Sequence, residues 1–164
     1  MARNEALIGS AAFLLVAPGT VAGLVPWFIT HWRFGDDAHV NLMVAGGVLI
    51  VAGLAVLLES FVRFALRGGG TPAPLAPTAH LVVTGAYRYV RNPMYVAVVA
   101  LIFGQALLFA NAGLIAYGIT IAFAFHVFVV GYEEKRLERE FGEDYARYCA
   151  NVRRWRPRLT PWRG

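Results

Sequence analysis

Two short polar segments hold the side chains of this sequence that are best placed to do chemistry. The first is Gly85-Ala86-Tyr87-Arg88-Tyr89-Val90-Arg91-Asn92-Pro93-Met94-Tyr95, and the second is Glu133-Glu134-Lys135-Arg136-Leu137. An arginine beside the free amides of a helix start suits a carboxylate or a phosphate. Arg91 has that position, just before Pro93. Glu133 suits a pair of hydroxyls or an ammonium group. Tyr87, Tyr89 and Tyr95 present faces on which a base or a cation can stack.

The elements that position these groups follow from where charge is missing. Of 164 residues, 58% are hydrophobic and only 15% are charged. An ordinary soluble domain has about 25% charged residues. This composition excludes a disordered chain and a disulfide scaffold, and it disfavours a water-soluble globule. Ala6 to Trp32, Ala38 to Leu58 and Asn92 to Tyr132 contain no Asp, Glu, Lys or Arg. A membrane span needs about 20 residues, so the last interval accommodates two, with the turn at Asn111. The expectation is an all-α polytopic membrane protein with about four transmembrane helices, near 6–29, 40–66, 94–110 and 112–131, plus a C-terminal cytoplasmic amphipathic helix. The third span is short and expected to stand nearly upright.

Net charge is +5. Its placement argues against a nucleic-acid groove, because nine of the 15 Lys/Arg follow Tyr132 and mix there with six acidic residues. The other six sit at the ends of apolar runs. Arg63, Arg67, Arg88 and Arg91 lie between spans two and three, and the tail adds Lys135, Arg136, Arg139, Arg147, Arg153, Arg154, Arg156 and Arg158. The positive-inside rule puts both segments, and both termini, in the cytoplasm. The whole chain, 1–164, reads as one membrane domain. In it, 1–66 supplies two spans, 67–93 a cytoplasmic loop with the first polar segment, 94–131 a hairpin, and 132–164 the tail.

The hairpin is what joins the two polar segments. An antiparallel turn at Asn111 sets the start of span three beside the end of span four, so Arg91 and Asn92 face Glu133 and Glu134. A ligand with a carboxylate, an ammonium, a ribose, a base and a positive centre answers this inventory, and S-adenosylmethionine has all five. A plainer description fits the same residues: arginines as membrane anchors, tyrosines as an interface belt, glutamates as partners of nearby cations.

Smaller features complete the reading. Gly68 to Pro77 holds three glycines and three prolines, which predicts an irregular loop. Pro18 and Pro26 are expected to kink the first span, and Gly19-x-x-x-Gly23 to offer a small face for close packing. The first apolar run exceeds a signal peptide's core, so it reads as an uncleaved span. Leu137, Phe141, Tyr145, Tyr148 and Val152 share one helical face, expected at the membrane rim and weakened at Gly142. Cys149 is the one cysteine and reads as a plain thiol. No metal-ligand spacing is present.

The string Leu81-Val82-Val83-Thr84-Gly85-Ala86-Tyr87-Arg88-Tyr89-Val90-Arg91-Asn92-Pro93-Met94-Tyr95 resembles the signature of the isoprenylcysteine carboxyl methyltransferase and phospholipid methyltransferase superfamily. So does Glu133-Glu134-x-x-Leu137-x-x-x-Phe141-Gly142-x-x-Tyr145-x-x-Tyr148 with Val152-Arg153-Arg154-Trp155-Arg156-Pro157 after it. The resemblance runs from about Thr71 to Pro157, with order and spacing kept. It implies an integral membrane methyltransferase using S-adenosyl-L-methionine at the cytoplasmic face. Carried onto this chain, it implies that His80, Leu81 and Val82 line the cofactor and that Tyr87 packs on it. It further implies that Asn92, Pro93, Met94 and Tyr95 bind it with support from Arg91, and that Glu133 takes a polar end with Glu134 as second partner. Arg154 and Trp155 would close over it.

Two positions depart from the superfamily pattern. Asn92 stands where a histidine is usual, and asparagine does not titrate near neutral pH, so a general base there is disfavoured. Val129 stands where the isoprenylcysteine enzymes carry a substrate-binding arginine, which argues against isoprenylcysteine as acceptor. The acceptor is expected to be a lipid, a lipidated group or another hydrophobic molecule arriving from the membrane, with no nucleic acid partner. The expected location is a bacterial inner membrane. An amine acceptor would need a base, with Glu134 or a tyrosine the candidate. His126 and Gln105 are intramembrane polar residues that either touch the acceptor or are satisfied by neighbouring carbonyls. The competing readings are a small four-helix transporter and a non-catalytic subunit with a degenerate cofactor site.

Overall fold

The computed structural model describes residues 3–36, 38–67 and 80–164. The loop expected over 68–77 lies outside the described residues. Among the described residues four helical rods account for most of the chain, and there is no strand. Rod α1 covers 3–30 as Arg3–Gly19, a π-helical turn Thr20–Leu24, and Val25–Thr30. Rod α2 is Val40–Arg67 and α3 is Pro93–Leu108. Rod α4 runs Ala112–Phe128, a second π turn Val129–Glu133, and Glu134–Asn151. Three stretches, Ala11–Thr30, Val40–Arg63 and Ala112–Asn151, are long and apolar enough to cross a membrane. Rod α3 has 16 residues, about 24 Å of helix against a hydrocarbon layer of about 30 Å.

The π turn in α1 has a local cause. Val25 donates its N–H to Thr20 O, five residues back. Pro26 has no N–H to give. It would be the donor to Ala22 O in an α pattern and to Val21 O in a π pattern. Polar side chains from other rods take over both carbonyls. Gln105 Nε2 donates to Ala22 O at 2.7 Å, and Tyr117 Oη donates to Val21 O at 2.9 Å. Gln105 is thus explained by the proline of a neighbouring rod.

Close packing centres on α2 and α3. A Cβ on Gly46 would stand 2.5 Å from Gly104 O, so only glycine allows these backbones to meet. The small-residue contact is therefore here and not at Gly19 and Gly23, because Gly23 has open space around it. Around this seam Leu57, Phe61, Ala97, Val98, Leu101 and Ile102 form the main core.

The connections sort to two ends. At one end Gly35 N–H donates to Phe109 O at 2.9 Å, beside the Asn111 turn, where the Asn111 side chain accepts from Leu114 N at 3.0 Å. At the other end lie Gly85–Arg88, a single 3₁₀ turn, the start of α3 and the last third of α4. Gly142, with φ of +48°, breaks that last third into two helical pieces. Beyond Val152, which is extended, the chain folds back as a strap.

Candidate functional site

The first polar segment is shaped from below by α2. Gly85 has φ of +61°, and a Cβ there would lie 2.0 Å from Glu59 Oε1. Glycine is needed on both counts. Glu59 in turn accepts Ala86 N–H at 3.3 Å and Arg63 Nε at 2.7 Å. The 3₁₀ turn that follows buries Tyr87, and burial raises its phenol well above the usual tyrosine value, with Tyr148 the next contributor. Asn92 precedes Pro93, which occupies the first position of α3, where its missing N–H costs nothing. The Asn92 side chain does not cap the helix. Its Nδ2 donates to Arg154 O at 3.2 Å.

The hairpin brings the second segment alongside. Tyr95 Oη donates to Glu133 Oε2 at 2.7 Å, a direct link from the start of α3 to α4. Glu134 points elsewhere. Its two oxygens accept Arg154 Nε and Nη2, each at 2.7 Å, and Arg91 Nη1 lies 3.3 Å away. The paired hydrogen bonds to Glu134 hold the Arg154 guanidinium above the usual arginine value. Adjacent glutamates in sequence thus divide into one carboxylate facing Tyr95 and one clamping two arginines.

A cavity of about 220 Å³ opens between these segments. Its polar wall is Tyr87, Arg91, Asn92, Tyr95, Glu133, Tyr145 and Tyr148, with Leu81, Val82, Met94 and Leu137 beside them. Its apolar wall is Phe13, Ala17, Pro18 and Val21 of α1 with Phe61, Val98 and Phe125. Among the residues expected at a cofactor site, Leu81, Val82, Tyr87, Arg91, Asn92, Met94, Tyr95 and Glu133 line this one cavity. Three do not. His80 is exposed to solvent, Pro93 is buried in the helix start, and Glu134 is taken up by Arg91 and Arg154.

Several lining residues carried no functional reading in the sequence. Tyr145 and Tyr148 belong to the helical face expected at the membrane rim. Instead they are buried against Leu81, Val83 and Trp162, and Tyr148 Oη donates to Tyr87 O at 2.6 Å. Their spacing did reveal a buried face, but not what it packs on. The α1 contribution had one available signal, the intramembrane Pro18. Val129 is fully buried in the second π turn and does not line the cavity. His126 is exposed on α4, where its Nδ1 accepts Trp155 Nε1 at 3.2 Å.

The strap covers the polar end. Arg91 N–H donates to Arg153 O at 3.0 Å, Arg158 N–H to Tyr89 O at 2.9 Å, and Trp162 N–H to Arg88 O at 3.0 Å. Arg91 also places Nη1 2.5 Å from Cys149 Sγ. Its Nε is buried and has no hydrogen-bond partner among the described residues. A buried guanidinium N–H left without an acceptor carries a desolvation cost. The wall as a whole holds an arginine, a carboxylate for hydroxyl or ammonium groups, and aromatic faces. That set fits an amino-acid-bearing nucleoside with a positive centre. No group of His, Cys, Asp and Glu suited to a metal ion occurs among the described residues.

The phospholipid methyltransferase family model matches residues 41–144, which is more than half of the chain and includes both polar segments. The strap lies beyond the matched region. No curated protein matches the chain.

Proposed function

The chain belongs to the phospholipid methyltransferase family, and on that premise we propose that it transfers a methyl group from S-adenosylmethionine to a hydrophobic or amphipathic acceptor at the cytoplasmic face of its membrane. The observation that carries this reading is the shared cavity, which Arg91 and the Tyr95–Glu133 pair line together. Membership makes the protein a membrane methyltransferase. The cofactor, the acceptor class and the residue roles are the proposal.

Arg91 sets its positive charge beside a carboxylate, while Glu134 and Cys149 fix its guanidinium. Glu133 accepts from hydroxyl or ammonium groups and is oriented by Tyr95. Tyr87, Leu81 and Val82 pack on a flat ring, and Met94 and Asn92 complete the wall. Pro93 acts through the helix start it fixes. The sulfonium, when bound, supplies a methyl group already activated for in-line displacement. The protein then has to align the acceptor and exclude water. The apolar wall from α1, Phe61 and Phe125 suits the hydrophobic part of an acceptor. Because two arginines occupy Glu134, an amine acceptor would pass its proton to Tyr95 Oη, whose own proton moves to Glu133 along their hydrogen bond.

The same proposal takes α3 as a fourth, short span within a single membrane domain. It places both termini in the cytoplasm of a bacterial inner membrane and the polar part of α4 outside the lipid as an amphipathic helix. Against a transporter stands Glu59, near the end of α2, which Ala86 N–H and Arg63 already occupy. The test is binding of S-adenosylmethionine by the purified chain, followed by labelled-methyl transfer to total membrane lipids and mass spectrometry of the product. The Glu133→Ala variant is expected to lose cofactor affinity. Unchanged affinity in that variant, or no binding by the parent at millimolar cofactor, overturns the proposal. Binding without transfer to any lipid favours a non-catalytic subunit.

A further inference from the structure

The last 20 residues, 145–164, contain six arginines and no acidic residue. Arg154 is held by Glu134, and Arg158 Nη1 donates to Asn151 O. Arg153, Arg156 and Arg163 are exposed and have no acidic partner among the described residues. Beside them Leu159 is fully exposed. This cationic surface belongs to the strap that is bonded to Arg88, Tyr89, Arg91 and Asn92, the last of these a residue of the cavity wall as Arg91 is.

The position of the strap indicates what it meets. Trp155 donates its indole N–H to His126 on α4. His126 precedes Glu133 by seven residues, two helical turns or about 10 Å back along the rod toward its apolar part. The strap therefore lies against the outer wall of a membrane-crossing helix and does not hang away in solvent. That depth is the interfacial layer, where tryptophan is favoured and arginine side chains reach lipid phosphates.

We propose that the strap docks on the acidic phospholipid headgroups of its own leaflet through Arg153, Arg156 and Arg163, and that this contact holds Arg91 and Asn92, two residues of the cavity wall, in place. Charge complementarity selects the partner, because clustered cations at a membrane surface bind anionic lipid. The coupling runs through bonds already described: Arg153 O to Arg91 N–H, and Arg154 O to the Asn92 amide. Fixing the strap fixes the backbone of Arg91 and the side chain of Asn92. This second half rests on reading the cavity as the cofactor site.

The experiment compares the full chain in nanodiscs of phosphatidylcholine with the chain in a phosphatidylcholine–phosphatidylglycerol mixture. Amide hydrogen exchange at Arg158 and Trp162 reads the strap. Exchange is expected to be about tenfold slower or more in the acidic discs, with the difference lost at high salt and in the R153Q/R156Q/R163Q variant. Equal exchange in the two discs, or a difference that survives in the variant, overturns the docking. Equal slowing of exchange in neutral discs by inorganic phosphate overturns the assignment to a lipid surface. Cofactor affinity is expected to rise in acidic discs in step with protection. Protection without a change in affinity overturns the coupling. Absence of cofactor binding in both discs overturns the cofactor reading instead, while exchange still decides the docking.

Discussion

Glu134→Gln separates a clamping role for this carboxylate from a cofactor-binding one. The substitution keeps the volume and removes the charge. Glu134 now accepts two hydrogen bonds of 2.7 Å from Arg154 and lies 3.3 Å from Arg91. Its side chain is 18% exposed and that of Arg154 31%, so the pair lies between a surface bridge and a buried one. Hydrogen bonds to charged groups contribute about 1.5–3 kcal/mol and exposed pairs about 0–1 kcal/mol. An amide retains one acceptor, so the expected loss is about 1–2 kcal/mol. At 1.4 kcal/mol per tenfold, the strap should open roughly 5–30 times more often. Hydrogen exchange at the Arg158 and Trp162 amides should quicken by that factor, and cofactor affinity should fall by no more than that factor. Asp144→Asn is the control, because its 3.9 Å pair with Arg147 is 76% and 66% exposed and should contribute nothing measurable. Unchanged exchange in Glu134→Gln, or an equal change in the control, would refute the clamp.

Gly85→Ala should destabilise the protein by about 1–2 kcal/mol from its positive φ, and Glu59 must also leave Ala86 N–H to admit the methyl group. Denaturation in detergent checks this, and unchanged stability refutes the fit of Gly85 against Glu59. Gln105→Leu leaves Ala22 O without its donor and should cost about 1–3 kcal/mol of stability. Cofactor affinity should be unaffected, since Gln105 does not line the cavity; a binding defect with normal stability would place it in the site. Burial keeps Tyr87 protonated above the ordinary tyrosine value of 10.0, so the unfolded chain releases that proton first. Stability should therefore fall as pH rises past about 10, and Tyr87→Phe should make that fall shallower in pH-dependent thermal melts.

Charge alone located most of the architecture. The starts of the first three rods fall within three residues of the starts of the uncharged intervals, because an unpaired charge is excluded from an apolar environment whatever the tertiary arrangement. The turn at Asn111 was legible for a similar local reason, since its side chain caps the helix that follows. The sequence also put the start of α3 at 94, one residue after Pro93 where it begins, and marked Gly142 as the weak point of the final helix, which the structure shows as a break. The expected helix end near 131 was not met. Helix continues through a π turn as far as Gly142, because Val129–Glu133 absorbs the change of register without breaking the rod, and a second piece runs on to Asn151.

Residue types and order determined the nature of the protein: apolar rods, two polar segments at one end, and the motifs that mark a methyltransferase family. Which surfaces meet was decided only by the tertiary structure. Rods α3 and α4 are apolar nearly all round where they cross, so periodicity assigns them no inner face. The Gly46–Gly104 contact, the α1 wall of the cavity and the matching of Gln105 to the carbonyl freed by Pro26 all depend on how such faces dock. The division of labour between Glu133 and Glu134 was likewise unreadable. Neighbours on a helix point about 100° apart, and which of them meets Tyr95 and which meets Arg154 depends on the rotation of α4 against the strap and α3.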